Sequence, residues 1–273
     1  MANNITPPTA LDSFFLSRAE LKAILTLVEI DAFPDLEEKD PALGQLTPEQ
    51  EAYELICGER ALRARGLAYI NEAGELRIHN DLLEAIGVCA FAPAMLVVTS
   101  ISPDGAASRR FTIFHLDDHY VSQMITEPAL HLFTKYVNRQ AVIDELMRLF
   151  PKSTEGDQAS LQLPETSLNE ARQAAEKGDI ALAKRLLVQA NAPEAAVDAF
   201  LAFLQHPHAT VFFHAIQRVD SDSISIQTAT SLASERCLWA VIEQDGSDVE
   251  ERCFDVRRVD MEAYSHVLDT LSW

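Results

Sequence analysis

The sequence predicts an α+β fold of two related halves. Each half is a set of helices followed by an antiparallel β-meander and a C-terminal helix, and the halves are expected to sit about a pseudo-twofold axis. Three observations predict this. Helix-capping signals precede apolar residues at helical spacing early in the chain and again after its midpoint. Alternating apolar and polar runs, punctuated by turn residues, follow a helix that stops at a proline in both halves. A segment also recurs: Asp81-Leu-Leu-Glu-Ala-Ile-Gly-Val-Cys-Ala-Phe-Ala-Pro93 precedes a strand from Met95, as Ala195-Ala-Val-Asp-Ala-Phe-Leu-Ala-Phe-Leu-Gln-His-Pro207 precedes one near Ala209. Aligning the prolines, a shift of 114 residues, sets Leu83 on Val197, Ile86 on Phe200 and Val97 on Val211, which reads as duplication.

The elements follow in order. Ser17 and Glu20 form a capping box ahead of Leu21, Ile24, Leu25 and Val28. Asp31 to Leu46 is an acidic, proline-punctuated loop. Thr47, Pro48 and Gln50 open a second helix that runs to about Arg65 and stops at Gly66. Leu67–Ile70 and Glu75–Ile78 form a short hairpin, and Asn80 caps a third helix. Strands are expected over Met95–Ile101, Arg110–Leu116 and Tyr120–Thr126, with Asp117 and Asp118 as a tight turn. Asn138 to Phe150 closes the half as a helix with Val142, Leu146 and Leu149 on one face.

The polar stretch from Pro151 reads as a linker, so the expected division is 1–150, linker 151–165, and 166–273. Ser167 and Glu170 form a further capping box. Helices over Leu168–Glu176, Ile180–Gln189 and Glu194–Gln205 follow, the first two a hairpin with small residues where the helices touch. Strands over Val211–Val219, Ile224–Thr230, Cys237–Glu243 and Val249–Val259 make the second meander, and Asp260 caps the last helix.

Composition narrows the function classes. The chain carries 42 acidic and 22 basic residues, a net charge of −20. Such a surface repels nucleic-acid phosphates and anionic lipid, whose affinity for proteins depends on cations. No apolar run is long enough to span a bilayer, and the N-terminus carries no basic and apolar leader, so a cytoplasmic protein is expected. Cys57, Cys89, Cys237 and Cys253 are scattered, with no Cys-x-x-Cys pair, and read as buried free thiols.

Motifs for chemistry are sparse. No Gly-rich phosphate loop, nucleophile elbow or zinc helix occurs, so no catalytic or cofactor-binding residue is assigned. His115-Leu-Asp-Asp-His119 is the metal candidate weighed, and a hydrolase using His115 and His119 is one alternative. Its spacing straddles a β-turn, and a solvated hairpin tip is the better reading. Thr47 to Ile86, helix–hairpin–helix with Arg60, Arg63 and Arg65, gives the other alternative, a winged-helix-like regulator. A winged helix, however, places its hairpin after the recognition helix.

Arg60-Ala-Leu-Arg-Ala-Arg-Gly-Leu67, the short hairpin, Asp81-Leu-Leu-Glu-Ala-Ile, and the switch to strand at Pro93 resemble the first half of the EspG family, chaperones linked to type VII secretion. Ala181-Leu-Ala-Lys-Arg-Leu-Leu-Val-Gln-Ala-Asn191, the helix to Leu204, the strand from Ala209 and the Val256–Leu271 strand and helix resemble the second. The resemblance implies a cytosolic, non-enzymatic chaperone or adaptor holding a helical client. It implies that the helices of the second half meet that client, together with the loop Ser102, Pro103, Asp104, Gly105, Ala106, Ala107 and Ser108.

Overall fold

The computed structural model describes residues 10–34, 36, 46–105, 108–127, 130–150, 159–206, 208–220, 223–235, 237–244 and 252–273. In chain order the first half is β1 (Ala10–Ser17), α1 (Arg18–Leu27), α2 (Pro48–Ala64), β2 (Ala68–Ile70), β3 (Leu76–Ile78), α3 (Asn80–Phe91), β4 (Ala94–Ile101), β5 (Ser108–Leu116), β6 (His119–Glu127), β7 (Leu130–Tyr136) and α4 (Arg139–Met147). The second is β8 (Ser160–Pro164), α5 (Glu165–Glu176), α6 (Ile180–Gln189), α7 (Glu194–Leu204), β9 (Ala209–Arg218), β10 (Ile224–Ala233), β11 (Leu238–Glu243), β12 (Cys253–Val259) and α8 (Met261–Thr270). The α+β class with its antiparallel meanders is therefore present.

Contacts divide the chain into two compact units. One gathers the described residues up to Met95 with Phe111–Val142 and Trp273; the other gathers Leu96–Arg110 with the described residues of Ile143–Ser272. In the first unit the strand order is β1-β7-β6-β5, antiparallel throughout. Helices α1 to α3 bury one face of these strands around Leu16, Ile24, Leu82, Ile86, Phe114 and Phe133. The capping boxes at Ser17 and Thr47 are both formed. Glu20 does more than cap: its buried carboxylate also accepts from Arg65 Nη1 at 2.8 Å, tying α1 to the C-terminal end of α2. Gly58 sits where α2 crosses α1, so close that a Cβ there would lie 2.1 Å from the carbonyl oxygen of Ala19.

In the second unit the order is β4-β9-β10-β11-β12-β8. Helices α5 to α7 cover one face around Leu161, Leu163, Phe200, Phe203, Trp239 and Val256. Adjacent residues of a strand point to opposite faces. Leu232 belongs to that helical layer, so Ser231 points the other way, to the hydroxyl of Tyr264 on α8.

Several sequence expectations are corrected. Strands β1 and β7 were not expected, and each meander has four strands. Residues 151–158 of the expected linker lie outside the described residues, whereas Ser160–Pro164 is a strand paired with β12. Helix α5 starts at Glu165 after Pro164, so Ser167 and Glu170 lie inside it and form no capping box. The N-cap of α3 is His79, without a side-chain cap, and Asn80 is already helical. Of the four thiols only Cys89 is buried; Cys57, Cys237 and Cys253 are partly exposed.

The repeat is better registered than the prolines suggest. The order β1-β7-β6-β5 recurs as β8-β12-β11-β10, with β1 and β8 each leading into a helix. Burial matches at a shift of 115: Leu82 with Val197, Ala85 with Phe200, Ile86 with Leu201, Val88 with Phe203, Leu96 with Val211, and Val98 with Phe213, all buried. The shift of 115 holds on both sides of the helix-to-strand junction, so the junctions have equal length and Pro207 falls one residue before the position matching Pro93.

Candidate partner-binding surface

The β9–β10 hairpin extends beyond the helices that cover its unit. Ile224 pairs opposite Arg218 and Ile226 opposite Ile216, without a break in register down to Ala233 opposite Ala209. With side chains alternating between faces, Ile224, Ile226, Thr228, Thr230 and Leu232 share one face. Leu232 is buried under α5–α7. Ile226 lies six residues away, about 20 Å along the strand. There the helical layer has ended: Ile226 is 55% and Ile224 63% exposed, and Val219, just past β9, is also exposed. Asp220 closes the turn, its Oδ1 accepting from Ser223 N at 2.9 Å. This is a sheet face bearing Ile216, Ile224 and Ile226, with Arg218 beside Ile224, at the side of a three-helix layer in a chain of net charge −20.

The expected loop between the central strands lies in the same unit. Ser102 Oγ donates to Asp104 Oδ1 at 2.5 Å, and Gly105 N donates to the Ser102 carbonyl at 2.9 Å. Gly105 has φ 68°, which a residue with a Cβ adopts only under strain. Pro103, Asp104, Gly105 and Ser108 are exposed; Ala106 and Ala107 lie outside the described residues. In the repeat this β4–β5 loop corresponds to the β9–β10 turn. The two differ in character, one polar and one flanked by Val219, Ile224 and Ile226. In the sequence those three read as ordinary strand residues. The available signal was Ile224 and Ile226 alternating with polar residues at a strand end.

His115 and His119 do not converge. His119 pairs opposite Leu116 and so takes the face that His115 does not. The His115 ring stacks on Tyr120 at 4.5 Å between centroids, and its Nε2 donates to the Asp117 carbonyl. The Nδ1 of His119 lies 2.8 Å from Glu84 Oε1. The other Glu84 oxygen and Asp81 accept from Lys135 Nζ at 3.0 and 3.2 Å. Burial works against this ammonium, whose side chain is only 9% exposed, but the hydrogen bonds and charges of Glu84 and Asp81 outweigh it and raise its pKa. Lys135 thus occupies carboxylate oxygens that a metal ion would otherwise need as ligands. Among the described residues no group of three or more His, Cys, Asp or Glu is placed to hold one.

The expected winged-helix unit also differs from such a reader. Its hairpin stands between α2 and α3, Arg65 is committed to Glu20, and Arg63 lies 3.4 Å from Glu59. No helix of the described residues is long and apolar enough to cross a membrane.

No family model matches the chain, and no curated protein matches it by sequence. A solved structure does match. It is the Mycobacterium tuberculosis type VII secretion system chaperone EspG5, in complex with a PE25–PPE41 dimer, at a TM-score of 0.64 and 15% identity. The match covers 96% of this chain and 98% of that one. The chain has an EspG5-like fold. At this identity the likeness concerns the path of the backbone.

Proposed function

We propose that this protein is a cytoplasmic chaperone or adaptor that holds a helical client protein for export, by binding and not by catalysis. The observation that carries the reading is the apolar face of β9 and β10, exposed beside α5–α7. A client helix laid there would continue the helical layer across the sheet and cover Ile224 and Ile226. Each is more than half exposed, so covering it contributes about 1–2 kcal/mol. That suits the centre of an interface whose wider contacts exclude water. The loop from Ser102 to Ser108 would contribute polar contacts at the margin, and the acidic surface would steer encounter with a basic partner. The EspG5-like fold supports the same reading, because that neighbour was solved with a bound protein dimer. The repeated strand order supports an origin of the two halves by duplication.

A pull-down of the tagged protein from its native host, read by mass spectrometry, tests this. A helical polypeptide recovered in equal amount supports it. A partner-free preparation with stoichiometric bound metal contradicts it.

A further inference from the structure

The outer face of α2 carries exposed side chains among the described residues and lies in the other unit from the β9–β10 face. Tyr53, Ile56, Arg60 and Arg63 recur at helical spacing and share one stripe. The stripe is about 15 Å long at 1.5 Å per residue. Tyr53 is 66% exposed and Ile56 46%. The stripe runs into an open groove of about 560 Å³ lined by Arg60, Arg63, Ala64, Ala68 and Tyr69. Tyr69, half exposed on β2, is held by the ring of His79 at 5.6 Å. The two alanines leave room in the groove, while two guanidinium groups and a phenol ring frame it.

The charges are unusual for this chain. Arg65 is consumed by Glu20. Arg63 has only a solvent-exposed contact with Glu59, of a kind that contributes little. Arg60 has no carboxylate partner among the described residues. Among the described residues, a protein of net charge −20 thus keeps one guanidinium group without an ion pair and one with only an exposed contact, beside exposed aromatic and aliphatic side chains. We infer that the α2–β2 face is a second docking surface, shaped for an acidic amphipathic peptide segment. Apolar side chains of that segment would cover Tyr53 and Ile56, and its carboxylates would enter the groove to pair with Arg60 and Arg63. Nucleic acid fits less well, since two arginines would have to overcome the repulsion of the whole surface.

The probe is a fluorescein-labelled helical peptide with leucines at i, i+3 and i+7 and glutamates over the next turn, titrated by anisotropy at low salt. The glutamate peptide should bind at least about tenfold tighter than its glutamine version, and binding should weaken with salt. Arg60→Glu/Arg63→Glu and Tyr53→Ser/Ile56→Ser should each lose about tenfold or more. Ile224→Ser/Ile226→Ser should bind as the wild type does, which separates this surface from the client-binding one. If the double charge reversal does not fold, Arg60→Gln with a wild-type melting curve carries the same test, with a smaller loss expected. Equal binding of the glutamine peptide, indifference to the arginine changes, or tighter binding of an oligothymidylate would overturn the inference.

Discussion

Ile226 of β10 lies directly opposite Ile216 of β9, on the face that six residues further along is buried under helices. A pair placed for a core but left beyond its cover has little to lose in the free protein. Ile224→Ser/Ile226→Ser should therefore cost only about 1–2 kcal/mol of unfolding free energy, from partial burial and β-propensity. A urea melt checks this. A loss of several kcal/mol would mean that these side chains serve the fold.

Gly58 makes the opposite prediction. Alanine has the better helix propensity, by about 1 kcal/mol. The added Cβ would meet the backbone carbonyl of Ala19 at 2.1 Å, and a backbone atom cannot rotate away. Overpacking typically costs about 1–3 kcal/mol and more where nothing yields. Gly58→Ala should thus be destabilising despite its propensity, measured by the midpoint of chemical denaturation.

Stability should fall at alkaline pH. Tyr264 is buried, and desolvation pushes its phenol well above the ordinary 10.0, the hydrogen bond with Ser231 opposing only in part. The ammonium of Lys135 is also raised above its ordinary 10.5. In both cases the unfolded chain loses its proton first, so the native state binds more protons and stability declines with rising pH. The contribution is whole below about pH 10 and is lost as pH climbs toward the folded-state values. Tyr264→Phe should flatten the tyrosine share of that decline, at the cost of leaving Ser231 without its partner. Thermal melts from pH 8 to 11 would show it.

Thiol labelling gives a fourth check. Burial raises the Cys89 thiol well above its ordinary value, so both access and thiolate are lacking. Maleimide should modify Cys57, Cys237 and Cys253 in the native protein and reach Cys89 only on unfolding.

Most helices were legible because their starts are chemical: Ser17 with Glu20, Thr47 with Gln50, Asp179 and Asp260 each place an oxygen on an early helical N–H. Strand β7 was not, because its buried face carries His131 and Lys135 along with Phe133. Apolar alternation fails where a lysine is neutralised by Asp81 and Glu84, more than fifty residues earlier. Edge strands β1 and β8 are short or flanked by polar residues, and β8 looked like linker until Leu161 and Leu163 were seen buried against α5–α7. The exposed apolar face was hidden for a related reason. Ile224 and Ile226 satisfy the strand pattern, and only the end of the helical layer reveals how exposed they are.

The most direct test of the central claim is size-exclusion chromatography with light scattering on the protein co-expressed with helical polypeptides encoded beside it. A stable complex of defined stoichiometry that Ile224→Ser/Ile226→Ser abolishes, with the variant still folded, is the predicted result. Free protein with every neighbour, or a complex indifferent to those two changes, would contradict it.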